Sequence, residues 1–595
     1  MKTQTGSHGP RTGLSPMTFD EAVRHVLATN PAFALEEVEV RGVRYPAFRN
    51  AARTVPQLAC DSRAAHGNGA DDYLIYRDER MTYDAFLADV AALAKGLADR
   101  FGVAKGDRVA ILARNYPEMI VATIAASSLG AVAVLLNAWW TTQELAYALR
   151  DSGARLVVAD GPRLVRLRPL IDPLGLQVIG IRDAEGQGVQ DYRALIDAAP
   201  PGPAPQADID TDDDFAIVYS SGSTGAPKGV VQTHRAAMTA VWTYMFQPLL
   251  RPLMAQPGTP PAPALRASYL IVTPLFHVTA LYPLLMLGFP VGARITLMHR
   301  WDPAEAIRII AAEQVTRFIG VPTQTGDLAE EVRRTGARLP SLQYLGSGGA
   351  KRPAAHVARL VETFPTSGVA TGWGMTETSA LGIGMLGADY AARPDAAGRL
   401  YPPAQQIRIV DDAGRVLPRG EMGEIQVKSL ANMRCYLNRP EETAATLRDG
   451  WLSTGDLGVI DAEGFVTIRD RKKNIIIRGG ENISCAEVED ALHRHPAVVE
   501  ACVFAVPHDR LGEIVGAAFQ LRPGTALDQT GVAAFLADKL AAFKIPERLW
   551  TGHAPLSRGA TDKTDRRAVR RACLQDPQRP APDQAALNAS TLPRP

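Results

Sequence analysis

Phe215-Ala216-Ile217-Val218-Tyr219-Ser220-Ser221-Gly222-Ser223-Thr224-Gly225-Ala226-Pro227-Lys228-Gly229 is the stretch on which the reading turns. Its first four residues are apolar and read as a buried strand, and Thr233 to Phe246 downstream has the pattern of a helix. Between them lies a loop of glycines, hydroxyls and one lysine. Glycine lets the backbone approach phosphate oxygens, amides and hydroxyls donate to them, and an ammonium offsets their charge. The composition suits a polyphosphate, and by itself it also suits a surface loop. The spacing Gly222-x-x-Gly225-x-x-Lys228-Gly229 is not that of the Walker loop, so the ordinary P-loop kinases and GTPases are excluded.

Upstream of this loop, apolar strand patterns alternate with helical ones. A hairpin at Tyr73–Tyr76 and Met81–Tyr83 feeds a helix from Asp84 to Phe101, and strands at 108–113, 131–136 and 154–159 are separated by helices at 117–129 and 143–152. Downstream, strands are expected near 268–273, 293–297, 316–319, 342–346 and 367–371, with a proline-rich loop at Arg251–Arg266. Uniformly apolar strands between helices predict two α/β layers with parallel sheets. From Pro402 the pattern becomes antiparallel, which predicts a β-barrel-like subdomain. Beyond Arg471 a separate α+β unit is expected, with helices at 486–494 and 531–543 and strands near 498–505 and 514–521. The division is therefore an extension over 1–70, a large domain over 71–470, a small domain over 471–574 and a disordered tail over 575–595. Within the extension, Phe19 to Ala28 reads as an amphipathic helix and the rest as irregular.

The chain has 595 residues, a net charge of +1 and 46% hydrophobic residues, which is globular and too balanced for a nucleic-acid surface. Arg566, Arg567, Arg570 and Arg571 fall at helical spacing beside Asp565 and read as a solvated face. Five scattered cysteines without Cys-x-x-Cys spacing fit reduced thiols in a cytoplasmic protein. Met119–Trp140 is long and uncharged enough to span a bilayer, but it divides at Gly130 into a helix and a strand. Tyr269–Val291 is interrupted by Pro274, Pro283 and Pro290. No transmembrane segment is expected; peripheral membrane contact and a homodimer are left open.

The loop string resembles the phosphate-binding loop of the AMP-forming adenylating enzymes, the family of acyl-CoA synthetases, peptide-synthetase adenylation domains and firefly-type luciferases. Further motifs follow in that family's order, from about Tyr73 to Arg571. Trp373-Gly374-Met375-Thr376-Glu377 resembles its aromatic-Gly-x-Thr-Glu motif, with tryptophan where tyrosine is commoner. The resemblance implies Thr376 at the α-phosphate, Glu377 (with Thr224) on Mg²⁺ and Trp373 stacked on or beside adenine. Read alone, Thr376-Glu377 would equally be a helix cap. Gly348-Gly349-Ala350 matches the glycine pair lining the adenine and acyl pocket. Ser453-Thr454-Gly455-Asp456 matches the motif whose aspartate accepts from the ribose hydroxyls, with Arg471 the second ribose contact and Lys473 the hinge. Gly479, Gly480 and Glu481 lie where the family has its thiol-tunnel loop. Phe276-His277-Val278 resembles the acyl-pocket motif, although His277 could equally be a core histidine. Lys563 matches the terminal catalytic lysine, but Asp562 stands before it where the family has glycine.

The resemblance implies a two-step ligase using ATP, Mg²⁺ and coenzyme A on a carboxylic acid, fatty or aryl. Lys228, Ser220, Ser221, Gly222, Ser223, Thr224 and Gly225 would hold the phosphates. Apolar neighbours around His277, in place of an aspartate for an α-ammonium, favour an acid without an α-amine. Three alternatives stand beside it: an acyl-AMP ligase loading a carrier protein, a luciferase-like oxygenase, and a non-catalytic binding protein, the last motivated by Asp562.

Overall fold

The computed structural model describes residues 16–205, 207–220, 227–256, 263–350, 352, 354–479, 481–559 and 563–575. Expectations placed on Ser221, Gly222, Ser223, Thr224, Gly225, Gly480, Asp562 and the tail beyond Gln575 lie outside these residues.

Two large sheets form the body. In the first, strands Asp214–Ser220, Val132–Leu135, Arg108–Leu112, Leu156–Asp160, Gln177–Ile181 and Val189–Asp191 run parallel in that spatial order, with Lys228–Thr233 and Cys435–Tyr436 added antiparallel at one edge. In the second, Gly368–Gly374, Tyr344–Gly348, Arg317–Gly320, Ser268–Ile271, Arg294–Leu297 and Asp72–Tyr76 are parallel neighbours, closed by antiparallel strands at both edges. The Asp72–Tyr76 hairpin therefore joins the second layer, although in sequence it precedes the whole of the first. Both layers share one core: Val109, Ile111 and Val218 of the first sheet cluster with Leu74, Ile271 and Ile295 of the second.

The run that could have spanned a membrane explains itself here. Helix Pro117–Ser128 is buried along almost its whole length, and Val132–Leu135 is a central strand with both faces covered. Such segments have no polar face because neither side meets water. No helix among the described residues is long and apolar enough to cross a membrane.

Four expectations are corrected. Residues after Ala28 are not irregular: a hairpin (Leu35–Val40 with Val43–Phe48) and a helix (Val55–His66) follow helix Phe19–Thr29. Phe33, Phe48, Val55 and Leu58 of this segment sit in the main core. The helix expected to stop at Phe246 runs from His234 to Met254, so part of the expected Arg251–Arg266 loop is helical; Leu250 is buried and holds the extra turns down. In the antiparallel subdomain, Gln405–Val410, Gly423–Ser429 and Trp451–Ile460 pair in an open path with Val466–Arg471 beyond, a five-stranded sheet without barrel closure among the described residues. The last of the four is the helix expected over 531–543, which is short, Gln529–Leu536.

The small domain has its own five-stranded sheet and two small cores. Its terminal helix does not present all its arginines to solvent. Arg566 is ion-paired to Glu489 at 2.5 Å inside this domain, and Arg570 donates to the Ala505 carbonyl at 2.8 Å.

Candidate active site

Two strands, and not a strand and a helix, hold the glycine-rich loop. Asp214–Ser220 and Lys228–Thr233 pair antiparallel with Ser220 opposite Lys228, and the helix begins only after Thr233 caps it through the Ala236 amide at 3.2 Å. The local reason is Val230 and Val231, β-branched and fully buried, which continue the sheet. Ladder hydrogen bonds therefore fix both feet of the loop.

Lys228, at one foot, pairs with Glu442 and lies 4.9 Å from the centre of the Tyr436 ring. The Tyr436 hydroxyl donates to Glu377 Oε1 at 2.8 Å. Burial, and then the Glu377 charge, hold this phenol above its usual range, so it remains a donor at neutral pH. One phenol thus links the loop lysine to the candidate metal carboxylate. Sequence reasoning missed both Tyr436 and Glu442, because no short motif marks partners supplied by a neighbouring strand and helix about 200 residues further along the chain.

Glu377 is buried, and no group of three or more ligating side chains exists among the described residues. That donor set fits Mg²⁺, which is commonly held by one or two carboxylates and completes its shell with phosphate oxygens and water.

Thr376 is placed by a buried relay. Its carbonyl accepts from Gln232 Nε2 at 2.7 Å, and Gln232 Oε1 accepts from the Tyr282 hydroxyl. Tyr282 belongs to a π-helical turn, Leu281–Met286, that follows His277. After Thr376 the chain doubles back through Ser379 (φ 52°) and Ala380 (φ 60°), both left-handed without being glycine. Each such residue costs on the order of 1 kcal/mol or more. Side chains hold the turn: Ser379 Oγ donates to the Ala431 carbonyl at 2.9 Å, and Tyr244 donates to the Ala380 carbonyl at 2.6 Å. A Cβ at Gly374 would strike the Ala380 backbone, so this close return requires glycine. Met375 donates its amide to Thr378 Oγ1 at 3.0 Å, bracing the same turn.

On the nucleoside side, Asp456 is buried, at 2% exposure, and opposite Arg471 in the ladder between Trp451–Ile460 and Val466–Arg471. Its Oδ1 takes Arg471 Nε at 2.8 Å, and its Oδ2 takes the Trp373 indole N–H at 2.8 Å. Trp373 thereby gains a task that its position in the motif did not announce: it orients the carboxylate expected to meet the ribose.

Lys563 comes to this centre from the small domain. A Cβ at Gly349 (φ +80°) would lie 2.6 Å from both its Cε and its Nζ. Burial, and then the Arg471 charge, push its ammonium down to about 8. Burial, and then the Lys563 charge, push His277 down to about 3, so the imidazole is neutral throughout the physiological range. Lys563, Arg471, His277 and the Gly348–Gly349 turn therefore form one neighbourhood, and exposed Ala350 follows that turn. Phe276 and Val278 are buried on either side of His277, with the Phe276 ring edge-on to Trp139 at 5.3 Å.

The Arg478–Asn482 hairpin stays within the small domain. Arg478 Nε donates to Glu547 at 2.9 Å, the Gly479 amide donates to the Leu511 carbonyl at 2.9 Å, and Glu481 pairs with Arg478. Gly479 and Glu481 are thus not brought to the residues around Lys563. Lys473 lies in the short turn Lys472–Asn474, directly after the Arg471 strand.

Comparison with known proteins follows the same outline. The AMP-binding enzyme model matches residues 61–437, and the model of the AMP-binding enzyme C-terminal domain matches residues 487–558. A feruloyl-CoA synthase of an Amycolatopsis species is 34% identical over 471 residues, covering 78% of this chain and 89% of that enzyme. A long-chain-fatty-acid–CoA ligase of Mycobacterium tuberculosis is 32% identical over 486 residues, covering 79% and 89%. Among solved structures, the O-succinylbenzoate coenzyme A synthetase of Bacillus subtilis in complex with ATP and magnesium superposes with a TM-score of 0.72 at 29% identity, covering 86% of this chain and 99% of that one.

Proposed function

Because the chain belongs to the AMP-binding enzyme family, we propose that it is an ATP-dependent, AMP-forming ligase that activates a fatty or aryl acid and passes it to coenzyme A. The observation that carries this reading is Lys563, a small-domain cation lying against the Gly349 turn of the large domain and within electrostatic reach of His277 and Arg471. A lysine there stands where a carboxylate and an α-phosphate would meet.

The chemistry has two steps. A carboxylate oxygen attacks the α-phosphorus of ATP, a P–O bond forms, and pyrophosphate leaves. Lys563 offsets charge on the reacting oxygens, while Lys228 and the loop hydroxyls hold the outer phosphates. Asp456, set by Trp373 and Arg471, accepts from the ribose hydroxyls. Glu377, set by Tyr436, would hold Mg²⁺, which supplies charge neutralisation on the leaving phosphates. In the second step a thiol attacks the acyl carbonyl and AMP leaves. We assign this step to a rearranged state in which the small domain, from about residue 471 onward, turns about Lys473 and brings Gly479, Gly480 and Glu481 over the thiol.

The test is ATP- and CoA-dependent AMP release over a panel of fatty, aryl and branched acids. Turnover requiring acid, ATP, magnesium and free CoA is the expected result. Acyl-AMP accumulation without thioester would favour a carrier-protein ligase, and absence of acid-dependent pyrophosphate exchange would end the ligase reading.

A further inference from the structure

The face of the second sheet that meets the shared core carries a column of glycines. Gly348 pairs with Gly372, and Gly372 with Gly384. The space above them is open at one end and closed at the other. A Cβ at Gly348 would meet only the Gly372 carbonyl, at 3.3 Å, and one at Gly372 would meet nothing nearer than 3.8 Å, one of the two atoms there being the Tyr401 hydroxyl. At Gly384 the Tyr401 phenol already fills the space a Cβ would need, and at Gly346 the Tyr344 ring lies 2.6 Å from such a carbon. Lys563 stands at the open end, beside Gly349. The room over Gly348 and Gly372, beside Lys563 at Gly349, is therefore bounded by the Tyr401 phenol at Gly384 and the Tyr344 ring at Gly346.

This boundary is polar. Tyr401 lies 6.0 Å, ring to ring, from Tyr244, whose hydroxyl is committed to the Ala380 carbonyl. Behind them Arg317 lies 3.9 Å from the Tyr344 ring centre and 5.7 Å from that of Tyr269. Its Nε is buried without a partner, and no carboxylate among the described residues pairs with it. Arg317 is half-buried in a parallel strand whose next residues, Phe318 and Ile319, are buried, and the contacts shown for its guanidinium are the two aromatic rings. Burial, and then Tyr344 and Tyr244, hold the Tyr401 phenol well above its ordinary range, so it is a neutral donor.

We infer that the acid this enzyme selects is of aryl size and carries an oxygen at its far end, received by the Tyr401 hydroxyl with Arg317 behind it. This rests on the ligase reading above. Gly348, Gly372 and Gly384 occupy three adjacent strands, so the span from the Lys563 end to Tyr401 is about 10 Å, two strand spacings. An aryl acid fits that length. An extended long-chain acid does not, and an apolar end would leave the Tyr401 hydroxyl unpaired. A site built to pair with a substrate oxygen rejects the analogue lacking it far more strongly than an apolar pocket rejects a missing methylene. The oxygen could be a phenolic hydroxyl or a second carboxylate; the shared chemistry is an acceptor at the distal end.

The experiment compares AMP release, at saturating ATP and CoA, for three matched groups: cinnamate against 4-hydroxycinnamate, phenylpropanoate against its 4-carboxy derivative, and dodecanoate. The expected result is a kcat/KM at least about tenfold higher for one oxygenated acid than for its bare counterpart, with dodecanoate poorest. Within a variant, the ratio of oxygenated to bare acid cancels general loss of folding. Tyr401→Phe should collapse the ratio for the hydroxy acid, and Arg317→Leu that for the carboxy acid, identifying which oxygen is read. Equal kcat/KM within each pair, or dodecanoate as the best substrate, overturns the inference and leaves the ligase reading standing. A preference that survives in both variants also overturns it. If no acid supports AMP release or pyrophosphate exchange, the ligase reading and this inference fall together.

Discussion

Lys563 and Gly349 belong to different domains, yet the lysine occupies space that any side chain at 349 would need: a Cβ there would be 2.6 Å from Nζ. The glycine is required twice over, by this approach and by its backbone at φ +80°. Replacing it separates the two halves of the reaction. Gly349→Ala should lower acid-dependent pyrophosphate exchange about 100-fold, the usual cost of displacing a catalytic group by about an ångström. Thioester formation from supplied acyl-AMP should fall much less, and equal losses in both assays would place the defect elsewhere.

The Lys563 ammonium is pushed down to about 8. A lysine is useful here only while charged, and a lowered value means the charge is lost sooner as pH rises. The kcat/KM of adenylation, which reports the free enzyme, should therefore be sustained below pH 8 and decline above it. Lys563→Arg should carry its charge to higher pH, and a pH profile of pyrophosphate exchange checks both. His277, pushed down to about 3, contributes no inflection between pH 5 and 8.

Tyr436 donates to the carboxylate expected to hold magnesium. Removing such a supporting donor commonly weakens metal affinity 10- to 100-fold. For Tyr436→Phe the magnesium concentration giving half-maximal AMP release should rise by about tenfold at fixed ATP. An unchanged magnesium curve would remove Glu377 from the metal site.

Trp373 and Arg471 share the two oxygens of Asp456. Trp373→Phe keeps an aromatic ring and loses one hydrogen bond, worth about 1 kcal/mol or somewhat more to a charged acceptor. The KM for ATP should rise roughly five- to tenfold with kcat little altered. Calorimetric titration with AMP provides a direct check.

Lys473 lies in the turn after the Arg471 strand. Lys473→Pro fixes φ in that turn and should leave acyl-AMP formation largely intact while slowing thioester formation. Comparable loss in both half-reactions would count against a hinge at this residue.

Sequence alone decided the class of fold and the order of the parts. Uniformly apolar strands such as Val132–Leu135 can only be buried on both faces, which forces parallel layers covered by helices. The resemblance singled out the glycine-rich loop, Trp373–Glu377, Asp456 and Lys563 because the phosphate, metal, ribose and carboxylate proposed for them would each demand particular residue types in short spacings. The irregular N-terminal segment and the length of helix His234–Met254 were misread, since their stability comes from Phe33, Phe48 and Leu250 packing on distant chain and not from local propensity.

Tertiary structure alone decided the pairings between distant residues. Tyr436 meets Glu377 because a short edge strand joins the first sheet, and Gln232 reaches Thr376 because the loop returns as a strand. Tyr401, just after strand Arg399–Leu400, fills the space over Gly384, and Arg317 lies over the Tyr344 ring, although no motif connects these residues. A motif records what one short segment must do for its ligand. What holds that segment in place, and which acid fits beside it, depends on side chains brought together across the sheets, where sequence separation carries no information about distance.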